Sequence, residues 1–417
     1  MKKYDILLYG ATGAVGCRAA RYLCEHAPKS LRWAIAGRDK HKLDTLAAEL
    51  QQEYNSDFDV FAVLVEEVEK LVQKSRVVLS AAGPYSVVGP PIVEACIKHR
   101  ADYLDVTGEV NFVRDMIHSH AELARKNEVT LVPCCGFDSI PADLGTFFAV
   151  EAAKKKFGLG VQEVIACNMS EHMSGGLGSG TVASLLRAIK ARGLADPLSL
   201  QRDFAHPERM TAPLADLKPV TPIMELSVFG GMFFLAPGNS RVVRRSASIF
   251  ASNADVSAIE VDGSKAYVDA PFCYQEFICF SKKFAAVWNN IGFKGFLTAM
   301  KASPILDFFL KKVERSRFQP KARAIAEGKF LLYLIAKTSE KQPQKLVVQV
   351  RGMDPGFTET AKMLVEAGLL LALHKEKLPV AKMGGGFWTP STAFGKPLID
   401  KLIAKGISFQ VMNFEEI

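Results

Sequence analysis

Three glycines at the spacing G-x-x-G-x-x-G, in Gly10-Ala11-Thr12-Gly13-Ala14-Val15-Gly16, carry the first chemistry legible in this sequence. An apolar run, Tyr4 to Tyr9, precedes them, and a stretch from Val15 to Glu25 with apolar residues at helical spacing follows. Glycines between strand and helix let the backbone turn tightly, approach a diphosphate and pack helix on strand; the diphosphate then meets the amide-rich helix N-terminus. The spacing is a variant of the commoner G-x-G-x-x-G and is weak alone, but here the strand and the helix stand on either side of it. Gly10, Thr12, Gly13, Ala14, Val15 and Gly16 are therefore candidate contacts of a dinucleotide.

The next apolar run, Leu31 to Ala36, ends in Gly37-Arg38-Asp39. An acidic residue at that point takes a ribose 2′-hydroxyl, whereas an arginine pairs with a 2′-phosphate. Arg38 thus points to NADP, with NADPH preferred over NADH; the plainer reading is an exposed loop arginine with Asp39 capping the next helix. Val77 to Tyr85 runs from a strand into Ala82-Gly83-Pro84, where backbone can pass beneath a ribose or nicotinamide, although Gly-Pro is also an ordinary turn. Another strand ends in Asp105-Val106-Thr107-Gly108-Glu109, so Ala82, Gly83, Pro84, Thr107 and Gly108 join the cofactor candidates. Tyr85 and Glu109 are candidate proton-handling groups; Asp105 and Glu109 could orient substrate or relay a proton, or equally be helix caps. Asp138 reads as an N-cap. His172 and the glycines of 174–181 form a second glycine-rich loop, suited to an anionic group or to a lid.

These residues need elements to hold them. Strands at Tyr4–Tyr9, Leu31–Ala36, Val60–Leu64, Val77–Ser80, Tyr103–Val106 and Thr130–Val132 alternate with helical segments such as Pro91–His99 and Val110–Asn127, the order of a doubly wound parallel sheet. After the turn-rich 136–141 and a helix to Phe157, strand-like segments at Val164–Met169, Arg241–Phe250, Ala266–Val268, Lys329–Lys337 and Lys345–Arg351 read as an α+β domain on a mixed or antiparallel sheet. A helix around Thr358–Leu373, a triple-glycine loop at Gly384–Gly386 and a helix from Pro397 to Lys405 close the chain. The fold class expected is α/β, an N-terminal Rossmann sheet with a second α+β domain. The segments are 1–135 for the NADP-binding domain, 136–383 for a substrate or dimerisation domain, and 384–417 returning to the Rossmann domain.

At 417 residues the chain exceeds what one core supports. Its net charge of +8 contains no run of five like charges, so nucleic acid is not an expected partner. Eight cysteines are scattered, and their one close pair, Cys134-Cys135, has no zinc spacing, so no metal is expected and the thiols read as reduced, in a cytoplasmic setting. The N-terminus lacks the apolar core of a signal peptide, and no apolar stretch is long enough to span a bilayer. Phe284 to Val313 mixes Phe293, Phe296, Leu297, Ile305, Leu306, Phe308 and Phe309 with Lys294, Lys301, Lys311 and Lys312, which suits peripheral membrane contact, an acyl-chain wall or a buried helical core. No G-x-S-x-G, H-E-x-x-H or Walker sequence occurs, so hydrolase, zinc-protease and P-loop readings lose support.

Tyr9-Gly10-Ala11-Thr12-Gly13, Ala36-Gly37-Arg38, Ala82-Gly83-Pro84-Tyr85, the segments 103–109 and 136–143, Asp354 to Ala361 and Gly384 to Pro390 together resemble the saccharopine dehydrogenase-like oxidoreductases. Within them the chain is similar to the branch that includes trans-acting enoyl reductases of mycobacterial glycolipid synthesis. The resemblance implies hydride transfer between NADPH and a C=C or C=N bond, with a lipophilic substrate. The alternatives are saccharopine formation in lysine metabolism, against which the second domain shows no obvious arginine cluster, and a non-catalytic, membrane-associated NADPH-binding scaffold. Homodimerisation is left open.

Overall fold

The apolar run at the start of the chain forms β1 (Tyr4–Tyr9), buried along its whole length as befits a central strand covered on both faces. Asp5 breaks the run only in sequence. Its carboxylate accepts from Arg32 Nη2 at 2.9 Å and from the Arg32 backbone N–H at 3.1 Å. In this computed structural model, which describes residues 2–174, 179–190, 200, 220–252, 272–300, 303–316 and 321–413, the chain continues by regular alternation. It passes through α1 (Ala14–His26), β2 (Trp33–Gly37), α2 (Lys40–Tyr54), β3 (Asp59–Ala62), α3 (Glu69–Val72), β4 (Ser75–Ser80), α4 (Tyr85–His99), β5 (Asp102–Asp105), α5 (Val110–Lys126) and β6 (Thr130–Val132). All pairings among these strands are parallel.

The second half carries α6 (Ile140–Phe157), β7 (Val161–Met169), α7 (Ser179–Lys190), β8 (Thr221–Ile223), β9 (Val228–Gly231), α8 (Ala236–Ser252), β10 (Cys273–Phe280), α9 (Lys283–Met300), α10 (Ser303–Ser316), α11 (Ala322–Ala326), β11 (Lys329–Thr338) and β12 (Lys345–Met353). Then come α12 (Thr360–His374), α13 (Val380–Met383), β13 (Gly386–Phe387), α14 (Pro390–Ala404) and β14 (Ser408–Met412). The first sheet has the order β13-β6-β5-β4-β1-β2-β3 and the second β14-β12-β11-β7-β10-β9-β8. In the second, β7 and β10 run parallel and the other pairs antiparallel, a mixed sheet.

Two compact units result: Met1–Phe137 with Gly356–Leu402, and Asp138–Pro355 with Ile403–Ile417. This differs from the segments 1–135, 136–383 and 384–417 at both returns of the chain. α12 sits on the first sheet, where a Cβ on Gly368 would lie 2.6 Å from a Leu79 methyl, and Tyr22 Oη donates to Glu366 at 2.8 Å. β14 instead pairs with β12 of the second sheet.

Two further expectations are corrected. Arg241–Phe250, read as a strand, lies in α8. That helix is buried on every side, arginines included, although Val242, Val243, Ile249 and Phe250 do recur at helical spacing in its sequence. The guanidiniums are absorbed by carbonyls: Arg241 donates to Pro237 O, Arg244 to Tyr274 O at 3.2 Å, and Arg245 to Leu200 O. α4 begins at Tyr85, not at the Pro91 that resembles a helix start, because its first amides find an acceptor outside the helix, as described below. The strand expected at Ala266–Val268 and most of the second glycine-rich loop lie outside the described residues.

Candidate functional site

The β1–α1 turn is built so that side chains cannot enter it. Gly10 has φ +83°, in the left-handed region where glycine is at home, and a Cβ there would meet Ala82 at 2.8 Å. A Cβ on Gly16 would lie 2.1 Å from Gly10 O, well inside van der Waals contact. The turn is closed by Gly10 N–H donating to Ala36 O at 2.8 Å and Gly13 N–H to Gly10 O at 3.0 Å. Gly13 is the N-cap of α1, and no side chain caps the helix. The amides of Ala14, Val15 and Gly16 therefore face outward without an acceptor among the described residues, beside half-exposed Thr12. A bare helix start and glycines with no room for a methyl are what a diphosphate requires, so the turn fits a dinucleotide.

Arg38, at the end of β2, is exposed and has no hydrogen-bond or ion-pair partner among the described residues. Its neighbour Asp39 is committed: the carboxylate accepts from Lys42 N–H at 3.1 Å and caps α2. Asp39 is thus engaged as a cap, and the Arg38 guanidinium has no partner among the described residues.

At the carboxyl edge of β4 and β5 the candidates come together around one turn. Glu109 Oε1 accepts Tyr85 N–H at 2.9 Å and Oε2 accepts Ser86 N–H at 3.0 Å, so the carboxylate caps α4 from the start of α5. Thr107 Oγ1 accepts Glu109 N–H at 3.0 Å and orients it. Tyr85 is buried and donates to Ser80 O at 3.1 Å; burial, with the Asp105 charge nearby, pushes its phenol well above the usual range. Asp105, fully buried, accepts from Thr107 N–H at 3.0 Å, Cys134 N–H at 2.9 Å and Tyr103 Oη at 2.8 Å. Burial still raises its carboxyl to about 6. Ala82 and Pro84 are half-buried, and Gly83 and Gly108 exposed, along the same edge.

The second unit holds acids that the sequence did not single out together. Glu276, on β10, accepts from Asn168 Nδ2 at 2.9 Å, Asn239 Nδ2 at 3.1 Å and Tyr274 Oη at 3.2 Å. Burial raises it to about 7. Asp138, expected to cap α6, does not: Ser139 occupies the N-cap position without a side-chain cap. The Asp138 carboxyl has no hydrogen bond among the described residues, and burial raises it to about 6. Asn168 on β7 and Asn239 on α8 are far from Glu276 in the chain and reach it only through strand pairing and helix packing, which no local motif announces. His172 lies exposed in a short turn. None of the eight cysteines forms a disulfide.

The family model of the saccharopine dehydrogenase NADP binding domain matches residues 6–132, the stretch that contains the turn and the edge above. Over 430 residues, 98% of this chain and 97% of the relative, the sequence is 30% identical to a Mycobacterium tuberculosis protein named as a trans-acting enoyl reductase. The chain belongs to the saccharopine dehydrogenase-like oxidoreductase family. Among its relatives is a Caenorhabditis elegans protein named as lipid droplet localized, 25% identical over 435 residues with 99% of each covered. A saccharopine dehydrogenase (L-Glu forming) from Saccharomyces cerevisiae has the same fold, with a TM-score of 0.50 at 12% identity over 98% of this chain and 100% of that one. As a member of this family the protein is an oxidoreductase with an NADP-binding domain.

Proposed function

We propose that the protein reduces a carbon–carbon or carbon–nitrogen double bond of a lipophilic, acyl-type substrate and prefers NADPH to NADH. The observation that carries the cofactor reading is Arg38, exposed and unengaged while Asp39 caps α2. Its fork suits a 2′-phosphate, whereas Asp39, which would meet a 2′-hydroxyl, is engaged as a cap. The amides of Ala14, Val15 and Gly16 would take the diphosphate, and Ala82 to Pro84 with Thr107 and Gly108 would border the ribose and nicotinamide. When bound, the cofactor supplies the hydride.

Tyr85 and Glu109 act in this reading as positioning residues. Both Glu109 oxygens grip the 85–86 amides and the Tyr85 hydroxyl holds the end of β4, so together they fix the turn along which the cofactor lies. The substrate class rests on relatives named as trans-acting enoyl reductases and as lipid droplet localized, each aligned over nearly the whole chain. A buried arginine helix does exist in the second unit, but its guanidiniums donate to backbone carbonyls, which does not favour a polycarboxylate substrate.

The test is a paired titration with NADPH and NADH, repeated on Arg38→Ala. The expected result is NADPH tighter by more than about ten-fold, with the preference lost in the variant and NADH affinity unchanged. Failure to bind either nucleotide would leave a Rossmann-shaped scaffold. If the cofactor binds, oxidation of NADPH by enoyl thioesters against a lysine and semialdehyde panel separates the substrate readings.

A further inference from the structure

α9 and α10 each have two apolar faces, and only one of each is buried. On α9 the inner face is fixed by Asn290 Oδ1 accepting Met232 N–H at 2.6 Å and Asn289 Nδ2 donating to Met232 O at 2.9 Å. On α10, Leu306 and Leu310 join Met300 of α9 and Ala183 and Leu186 of α7 in one core cluster. The opposite faces are also apolar. Phe284, Val287, Trp288 and Ile291 recur at i, i+3, i+4 and i+7 with 71%, 36%, 57% and 55% of their surface exposed. Ile305, Phe308 and Phe309 repeat the pattern on α10 at 43%, 61% and 42%. A helix stripe of this kind normally marks a buried face; here it faces solvent.

Charge selects the occupant. Residues 282–313 hold six lysines against one aspartate, +5 of the chain's +8. Asp307 is neutralised by Lys190 at 2.6 Å. Lys282, Lys283, Lys294, Lys311 and Lys312 are exposed beside the stripes. A second copy would bring the same positive charge against itself, whereas an anionic bilayer offers phosphates to the lysines and an acyl boundary to the rings. Phenylalanine and tryptophan at such a boundary match the aromatic preference of membrane interfaces. Neither helix is long and apolar enough to cross a bilayer, so the geometry is that of a surface contact.

We propose that the outward faces of α9 and α10 form a docking surface for anionic phospholipid membranes, with Phe284, Trp288, Ile291, Phe308 and Phe309 entering the headgroup–acyl boundary and the flanking lysines meeting phosphates. The surface lies outside the nucleotide turn, so docking and redox chemistry can fail separately.

The experiment is cosedimentation of the full-length protein with vesicles of phosphatidylcholine alone or with about 30 mol% phosphatidylserine. The expected result is partition onto the anionic vesicles at least ten-fold above the neutral ones, weakened in about 0.5 M salt. Phe284→Ser/Trp288→Ser/Phe308→Ser, and separately Lys311→Glu/Lys312→Glu, should each lower that partition about ten-fold or more with NADPH affinity unchanged. Unchanged circular dichroism and thermal unfolding certify that the variants are folded, since the substituted helices lie in the second unit and the β1–α1 turn in the first. Wild type that binds neither vesicle, or variants that bind like wild type, would overturn the proposal. So would a wild-type dimer that the aromatic variant converts to monomer, which would make a second copy the occupant.

Discussion

The β1–α1 turn of the first unit and the polar interior of the second solve one problem by different means. In the first, backbone is the working material: outward amides of Ala14 to Gly16, glycines with no room for a methyl, and carboxylates that grip amides, as Glu109 grips residues 85 and 86 and Asp105 those of 107 and 134. In the second, side chain holds side chain, with Asn168, Asn239 and Tyr274 converging on Glu276 from separate elements. A backbone-built site is fixed by local geometry and is brittle to small steric change. One built from side chains tolerates isosteric change but answers to protonation.

Gly16→Ala should give the largest effect on that contrast. The added carbon would stand 2.1 Å from Gly10 O, which backbone cannot yield without opening the turn. NADPH affinity is expected to fall at least about 100-fold, equivalent to about 2.7 kcal/mol, by titration of a variant checked for folding by circular dichroism. An affinity within a few-fold of wild type would mean that the turn is not the diphosphate site.

Glu109→Ala comes next. It strips the acceptor from two amides at the start of α4, one of them on buried Tyr85, at a cost of roughly 2–4 kcal/mol in urea unfolding. Glu109→Gln should recover part of this, since its carbonyl can still accept one amide. If alanine cost nothing, the carboxylate would not be holding the turn, and a proton-transfer role for Glu109 would regain force.

The same contrast explains what could be read from the sequence. Gly10 to Gly16 are contiguous, because a backbone turn is made by residues adjacent in the chain, and Arg38 and the strand ends stand at the strand-to-helix junctions that the alternation repeats. The Rossmann order was legible for a related reason, since parallel strands covered on both faces leave continuous apolar runs, whereas of the second sheet only β7, β11 and β12 read as strands in the sequence. α8 reads as a strand although Val242, Val243, Ile249 and Phe250 keep helical spacing, because its β-branched residues and the arginines between them mimic one. The start of α4 was hidden by Pro90 and Pro91, as its true cap, Glu109, lies 24 residues away. Glu276 was invisible because its partners Asn168 and Asn239 are 108 and 37 residues distant. The 284–313 stretch showed its composition but not its direction; only the structure separates Leu306, turned inward, from Phe308, turned out.

The smallest effect, and the one that tests the side-chain half, is the pH response of Glu276→Gln. The folded carboxyl is raised from 4.5 to about 7 by burial, with Asp138 nearby adding a like charge. Between those values the folded state binds a proton that the unfolded chain has released. Stability from this group is therefore fully present below pH 4.5 and is lost as pH rises through about 7, an effect on the order of 2 kcal/mol between pH 5.5 and 8. Glutamine keeps a carbonyl for the two asparagine amides and can donate to the Tyr274 hydroxyl oxygen, so packing and hydrogen bonds survive while the titration disappears. Thermal unfolding of both proteins across that range should show a shallower decline for the variant, with the curves separating between pH 5.5 and about 7 in the variant's favour and running nearly parallel above that. Curves parallel across the whole range would mean that the carboxyl ionises in the folded state as easily as in water, and that side chains alone offset its burial as fully as backbone amides could.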